Sequence, residues 1–263
     1  MIYVRSVLFV VLAVIFTVPL TTLIVLSAVL PMRVRIFFSV LWRRCFMAAT
    51  RHVLGIRSQV IGKENIPAEP VVILSKHQSA WETVALQEVF APTWLVFVLK
   101  KELLFVPFIG WALAAVREIS IDRKAGLDAL EQVVEQGRDR LQRGYSVVIF
   151  PEGTRVAPGT KRRYKGGGAH LAVRTGYKVI PVAHNAGERW PRNAFLKTPG
   201  LVTVSVGPAI DPTGKTADQV IKETEAWIEG EMQRISPHLH RGGQGRDSGK
   251  AAGGHATSDS AAA

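Results

Sequence analysis

The chain of 263 residues contains one cysteine, Cys45. No internal disulfide can therefore form, which fits a reducing compartment. It has no G-x4-G-K-S/T phosphate loop and no His/Cys/Asp cluster with metal-ligand spacing, so neither a nucleotide loop nor a metal or other cofactor is expected. No internal repeat is present. Acidic residues are scarce, 21 against 33 lysines and arginines, for a net charge of +12. Such a balance can point to nucleic acid, yet no recognition helix, zinc-finger or RNA-binding signature accompanies it. An acidic membrane surface is the expected partner.

Two local absences sharpen this. From Ser6 to Leu30 there is no charge at all; at 1.5 Å per residue these residues reach roughly 37 Å, against a hydrocarbon core of about 30 Å. The run exceeds an ordinary signal-peptide apolar region. Pro19, among Thr17, Thr21 and Thr22, leaves two forms open: a span, kinked or straight, or a hairpin that dips into one leaflet and returns. From Pro31 to Lys63 there is no acidic residue but seven basic ones, Arg33, Arg35, Arg43, Arg44, Arg51, Arg57 and Lys63. The positive-inside rule therefore places the bulk of the protein on the cytoplasmic face of the inner (plasma) membrane. Phe37, Phe38, Leu41, Trp42, Cys45 and Phe46 recur there at helical spacing, as in a helix lying in the lipid interface or packed on its own domain.

The 48% hydrophobic composition supplies one main core plus appendages. Short apolar runs alternate with helical stretches. Strands are expected at 71–74, 94–99, 119–121, 147–150, 179–183 and 202–206, and helices at 81–90, 127–143, 168–174 and 217–235. Such alternation predicts an α/β fold, a mostly parallel sheet flanked by helices, with an N-terminal membrane helix or helical hairpin. The expected domains are a membrane-associated segment over 1–58, a globular domain over 59–240 and a disordered tail over 241–263, where Gly, Ala and Ser dominate.

Candidate chemistry gathers where strands end. Val71 to Leu74 runs into Ser75-Lys76-His77-Gln78-Ser79-Ala80-Trp81-Glu82. Ser79 is a candidate N-cap, with Glu82 three residues on completing a capping box. A histidine in the preceding turn can fold back over the first helical turn, so Glu82 could hold one ring nitrogen of His77 and leave the other to take a proton. The alternative is a helix cap beside a loop histidine. Val147 to Phe150 leads into Pro151-Glu152-Gly153-Thr154-Arg155, where Pro151 and Gly153 force a sharp turn. Lys161, Arg162, Arg163, Lys165 and Gly166-Gly167-Gly168 follow, a design suited to anion capture or to a solvated basic loop. Lys100, Lys101 and Arg123 could reach the same sheet end, or pair with Glu102 and Asp122.

Together these stretches resemble the glycerolipid acyltransferase family, and within it the bacterial 1-acylglycerol-3-phosphate acyltransferases. His77 to Glu82 matches the family's H-x4-D motif, Gly110 to Arg123 its second, Phe150-Pro151-Glu152-Gly153-Thr154-Arg155 its third and Val179 to Ala183 its fourth, over roughly residues 61–208. Glu82 stands where the family has aspartate, one methylene longer. The resemblance implies acyl transfer from an acyl thioester, of CoA or acyl carrier protein, to the sn-2 hydroxyl of lysophosphatidic acid, giving phosphatidic acid. His77 is then the expected base and Glu82 its partner, while Lys101, Arg123, Glu152, Gly153, Thr154 and Arg155 are expected to bind the acceptor. Another lysolipid acceptor, or a protein that holds anionic lipids without catalysis, is the alternative.

Overall fold

A computed structural model describes residues 1–122 and 124–240. Arg123 and the tail from 241 to 263 lie outside the described residues, so the expectations on both fall outside them as well.

Seven strands form one sheet: β1 (Ile56–Ile61), β2 (Val72–Ser75), β3 (Leu95–Lys100), β4 (Ile119–Ile121), β5 (Ser146–Ile149), β6 (Val179–His184) and β7 (Gly200–Val206). Their order is β1-β7-β6-β2-β5-β3-β4, with β6 and β7 antiparallel and every other neighbouring pair parallel. The mostly parallel sheet expected from the alternation is therefore present. Its central strands β2 and β5 are buried throughout, which is why both read as unbroken apolar runs. Because β3, β5, β2 and β6 run the same way, the residues that follow them meet at one edge of the sheet.

Helices cover both faces. On one lie α5 (Leu127–Gln142), α6 (Gly167–Thr175) and α7 (Ala217–Ile235), packed through Val133, Leu141, Leu171, Val220 and Ile228. Thr216 and Gln219 start α7 with a reciprocal capping box. The other face carries α1 (Ile2–Leu26), α2 (Met32–His52) and α3 (Trp81–Val89), which bury Phe9, Met47, Trp81 and Leu86 against Ile73 and Val148. The N-terminal helices thus share the main core, and β1 straddles the boundary expected between residues 58 and 59.

α1 runs unbroken through Pro19. Of the two forms left open, a reversal at Pro19 does not occur; the neighbouring hydroxyls bond carbonyls one turn back, Thr21 to Thr17 O at 2.6 Å and Thr22 to Val18 O at 2.7 Å. The chain reverses instead at a short 3-10 turn, Ser27–Val29, followed by Pro31, and α2 returns along α1. Trp42 Nε1 donates to Thr17 Oγ1 at 3.0 Å across this helical hairpin. A stripe of α1, Ser6, Phe9, Leu20, Thr21 and Ile24, is buried, while its other sides leave a long apolar surface exposed. Its length and composition suffice to cross a membrane.

Two elements escape the pattern read from the sequence. β1 is an edge strand with only Ile56 buried, so it has no apolar run to announce it. The other is α4 (Ile109–Ala115), a seven-residue helix directly after Pro107 and Phe108. Gly110 lets α4 sit on the 3-10 turn Lys101–Phe105: a Cβ there would lie 2.6 Å from the Leu104 carbonyl carbon and closer still to the Leu103 and Leu104 oxygens. Backbone atoms cannot swing aside, so Gly110→Ala should destabilise the fold by roughly 1–3 kcal/mol, the usual range for overpacking. A denaturant titration of both proteins checks this; an unchanged midpoint would mean that α4 shifts freely.

Candidate active site

The loop after β2 places His77 at the centre of the C-terminal edge of the sheet. Its Nδ1 lies 2.8 Å from Glu82 Oε1. A carboxylate accepts, so Nδ1 carries the proton and Nε2 keeps its lone pair. The ring is stacked on Phe150, centroids 3.9 Å apart and planes 15° from parallel, which fixes its orientation. The extra methylene of Glu82 does not prevent the pairing.

Glu82 sits in the first turn of α3 and is fully buried. The same Oε1 accepts the backbone N–H groups of Gln78 at 3.0 Å and Ser79 at 2.9 Å. This is the carboxylate half of the expected capping box. The hydroxyl half is displaced, since Ser79 Oγ accepts from Trp81 N at 3.2 Å, two residues on, and the helix itself begins at Trp81. Burial pushes the Glu82 carboxyl up, but His184, His77 and the Ser79 N–H outweigh it and hold the group below the usual carboxylate range.

His184, at the end of β6, lies 4.0 Å from Glu82 Oε1 and is completely buried. Its Nε2 is 2.7 Å from the Lys76 carbonyl, which can only accept, so that nitrogen bears the proton. Nδ1 in turn accepts the Ala186 N–H at 3.3 Å. Burial lowers the His184 pKa, against the opposing pull of Glu82 and of the bond to the Lys76 carbonyl.

Below His77 lies a buried ionic network. Lys76 Nζ is 2.9 Å from Glu152 Oε1 and 2.7 Å from Glu229 Oε1, and the Tyr164 hydroxyl donates to Glu229 at 2.9 Å. Glu152 Oε2 accepts the backbone N–H of His77 at 2.7 Å. Burial pushes Glu152 up to about 7, opposed by Lys76 and by that N–H. Glu152 therefore holds the His77 backbone from beneath.

In front of His77 opens a cavity of about 550 Å³, within the usual range for small-molecule sites. Its walls are mostly apolar, from Ile24, Trp42, Val84, Phe97, Leu99, Ile109, Leu113 and Phe150 among others. Gly153, Thr154 and Arg155 line it together with His77, joined by Lys100 and Arg192. Gly153 adopts φ +70°, which the sharp turn after Phe150 requires. Arg192 Nη1 donates to the Arg155 carbonyl at 3.2 Å, tying the two basic segments together. Lys101 is not brought to this cavity: its ammonium pairs with Asp122 at the exposed surface, raising its own pKa and lowering that of Asp122. Lys100, one residue earlier, lines the cavity in its stead.

Comparison with known proteins places this geometry. A family model described as Acyltransferase matches residues 57–185. The chain is 46% identical over 220 residues to a 1-acyl-sn-glycerol-3-phosphate acyltransferase of Pseudomonas aeruginosa, covering 82% of this chain and 85% of that one. The chain belongs to the 1-acyl-sn-glycerol-3-phosphate acyltransferase family. A mouse member, 1-acyl-sn-glycerol-3-phosphate acyltransferase alpha, is 32% identical over 180 residues, 67% of this chain and 63% of the mouse protein. The crystal structure of a 1-acyl-sn-glycerophosphate acyltransferase from Thermotoga maritima superposes with a TM-score of 0.70 at 22% identity, over 88% of this chain and 95% of that one. That likeness bears on the fold.

Several polar residues of this acyltransferase site have no local signature. Lys76 and Glu229 lie far apart in sequence, and only the fold pairs them. His184 carried one usable signal: it ends a strand adjacent to β2, as His77 nearly does. Glu118 is the fourth. It lines the apolar cavity and accepts the Phe97 N–H, and burial lifts its carboxyl to about 8 despite that bond and Arg140. The folded state thus keeps a proton that the unfolded chain releases near 4.5, so the contribution of Glu118 to stability falls as pH rises from there through 8. Glu118→Gln should flatten this part of the profile. Thermal midpoints measured between pH 5 and 9 should fall more steeply with rising pH for the wild type than for the variant; parallel curves would place Glu118 in water.

Proposed function

We propose that the protein transfers a fatty acyl group from an acyl thioester to the sn-2 hydroxyl of 1-acylglycerol 3-phosphate, giving phosphatidic acid. The observation that carries the reading is the His77–Glu82 pair, 2.8 Å apart, facing a largely apolar cavity that Arg155 also lines. It combines a base, a lipid-sized apolar space and a cation for phosphate.

His77 Nε2 takes the proton of the acceptor hydroxyl as its oxygen attacks the thioester carbonyl. Glu82, ionised and held by two backbone N–H groups, stabilises the imidazolium that results. Collapse of the tetrahedral intermediate expels the thiolate, which recovers the proton from His77. Arg155 and Lys100 bind the acceptor phosphate, with Gly153 and Thr154 shaping the turn beside it. Glu152 acts beneath them by holding the His77 N–H. The donor is a thioester of CoA or of acyl carrier protein. The apolar α1 anchors the protein to a membrane, and the basic segment after it sets the enzyme on the cytoplasmic face.

Purified protein incubated with labelled acyl donor and lysophosphatidic acid should form a diacyl product. His77→Ala should lower turnover by about 10²- to 10⁴-fold, the usual contribution of positioned base catalysis, with an unchanged far-UV spectrum. Near-normal turnover in that variant would refute the base assignment. Arg155→Ala should raise KM for a phosphate-bearing acceptor by roughly ten- to a hundredfold, as expected for losing a charged hydrogen bond, and leave KM for a phosphate-free acceptor unchanged. Equal effects on both would make Arg155 structural.

A further inference from the structure

Away from α1 and α2, the largest run of exposed apolar side chains among the described residues extends from the turn after β3 into α4. Leu103, Phe105, Val106, Phe108, Ile109 and Trp111 are all exposed within nine residues, Phe105 by 79% and Trp111 by 50%. A soluble surface rarely concentrates side chains in this way without a partner. The run is also held in shape. Phe108 has φ +62°, a costly conformation for a non-glycine residue, and its ring rests on Trp111 with centroids 5.5 Å apart.

Three observations select the partner. The segment adjoins the apolar helix: Ala112 of α4 and Val116 just after it pack on Ile24 of α1. Arg35 of α2 donates to the Ala115 carbonyl at 2.7 Å, pinning the other end of α4 to the same hairpin. Lys100 and Lys101 immediately precede the run, and aromatic side chains beside lysines are the composition of a membrane interface. Finally, Leu103 and Ile109 line the large cavity while remaining nearly half exposed, and Thr21 and Ile24 of α1 line it too. The cavity therefore reaches the exterior next to both apolar surfaces.

We propose that Leu103–Trp111 is a second lipid-contacting surface, which seats Phe105, Phe108 and Trp111 in the bilayer interface beside α1. Lipid then meets the cavity where Leu103 and Ile109 border it, and an acyl chain passes into it sideways without crossing water. Docking by α1 alone would leave the enzyme free to tilt about one helix. A second contact fixes the cavity against the bilayer.

The test uses the full chain. Cys45 is the only cysteine, so Cys45→Ser combined with Phe105→Cys gives one site for a nitroxide label. Lys222→Cys, on exposed α7 across the sheet, serves as the aqueous reference. Both proteins are placed in vesicles of phosphatidylethanolamine and phosphatidylglycerol, and collision with oxygen and with a nickel chelate is measured. The label at 105 should meet the nickel chelate severalfold less often than the label at 222, and oxygen more often. A Trp111→Cys label should repeat the pattern should Phe105→Cys fold poorly. Equal nickel access at both positions would overturn the proposal. So would protection at 105 that disappears on dilution with empty vesicles, because a second copy of the chain would then be the occupant. Label depth is independent of turnover, so either result leaves the acyl-transfer reading to its own assay.

Discussion

The structure depends on one buried cation. Lys76 is 1% exposed, and taking an ammonium out of water costs several kcal/mol unless it is paired. Glu152 and Glu229 supply the pairing, and in doing so they bring together the loop after β2, the loop after β5 and the middle of α7. Glu152 is itself completely buried, so it needs the cation as much as the cation needs it. The consequence reaches the reacting side chain, because the second oxygen of Glu152 holds the His77 N–H. A base that must accept a proton from a bound hydroxyl needs a fixed backbone, and the ion network provides it without occupying the cavity.

Three carboxyl groups within this site show how environment divides one chemistry into separate roles. Glu82 is buried but collects a histidine and two backbone donors on a single oxygen, and its pKa falls. Glu152 is buried against a lysine and is raised to about 7. Glu118, half-buried in the cavity wall, has one backbone donor and the more distant pull of Arg140, and rises to about 8. The number and charge of the partners decide the direction, while depth alone would have raised all three. Only the first is thereby suited to stabilising an imidazolium.

Much of the fold was legible because its signals are local. All four expected helices and all six expected strands appear within two residues of their predicted bounds, since buried parallel strands read as β-branched runs and amphipathic helices as a periodic stripe. β1 was invisible because an edge strand with a single buried residue shows neither a run nor an alternation, and α4 because seven residues are too few for a period. At the site, His77, Glu82 and the turn to Arg155 follow from spacing and turn chemistry. Lys101 did not reach the cavity, because a neighbouring strand end offered it Asp122, and adjacency in sequence does not say which of two lysines faces inward. Lys76, His184 and Glu229 required the sheet order itself.

The helix that completes the ion network also extends the catalytic unit in sequence. The matched family segment ends at residue 185, and the four motifs end earlier still. Glu229 stands more than forty residues beyond it, on a helix fastened by its own capping box at Thr216. A fragment cut after β6 would retain every motif residue and yet bury Lys76 against one carboxylate in place of two. The polar network that seats Lys76 thus draws on a helix that lies beyond the residues matched by the family model.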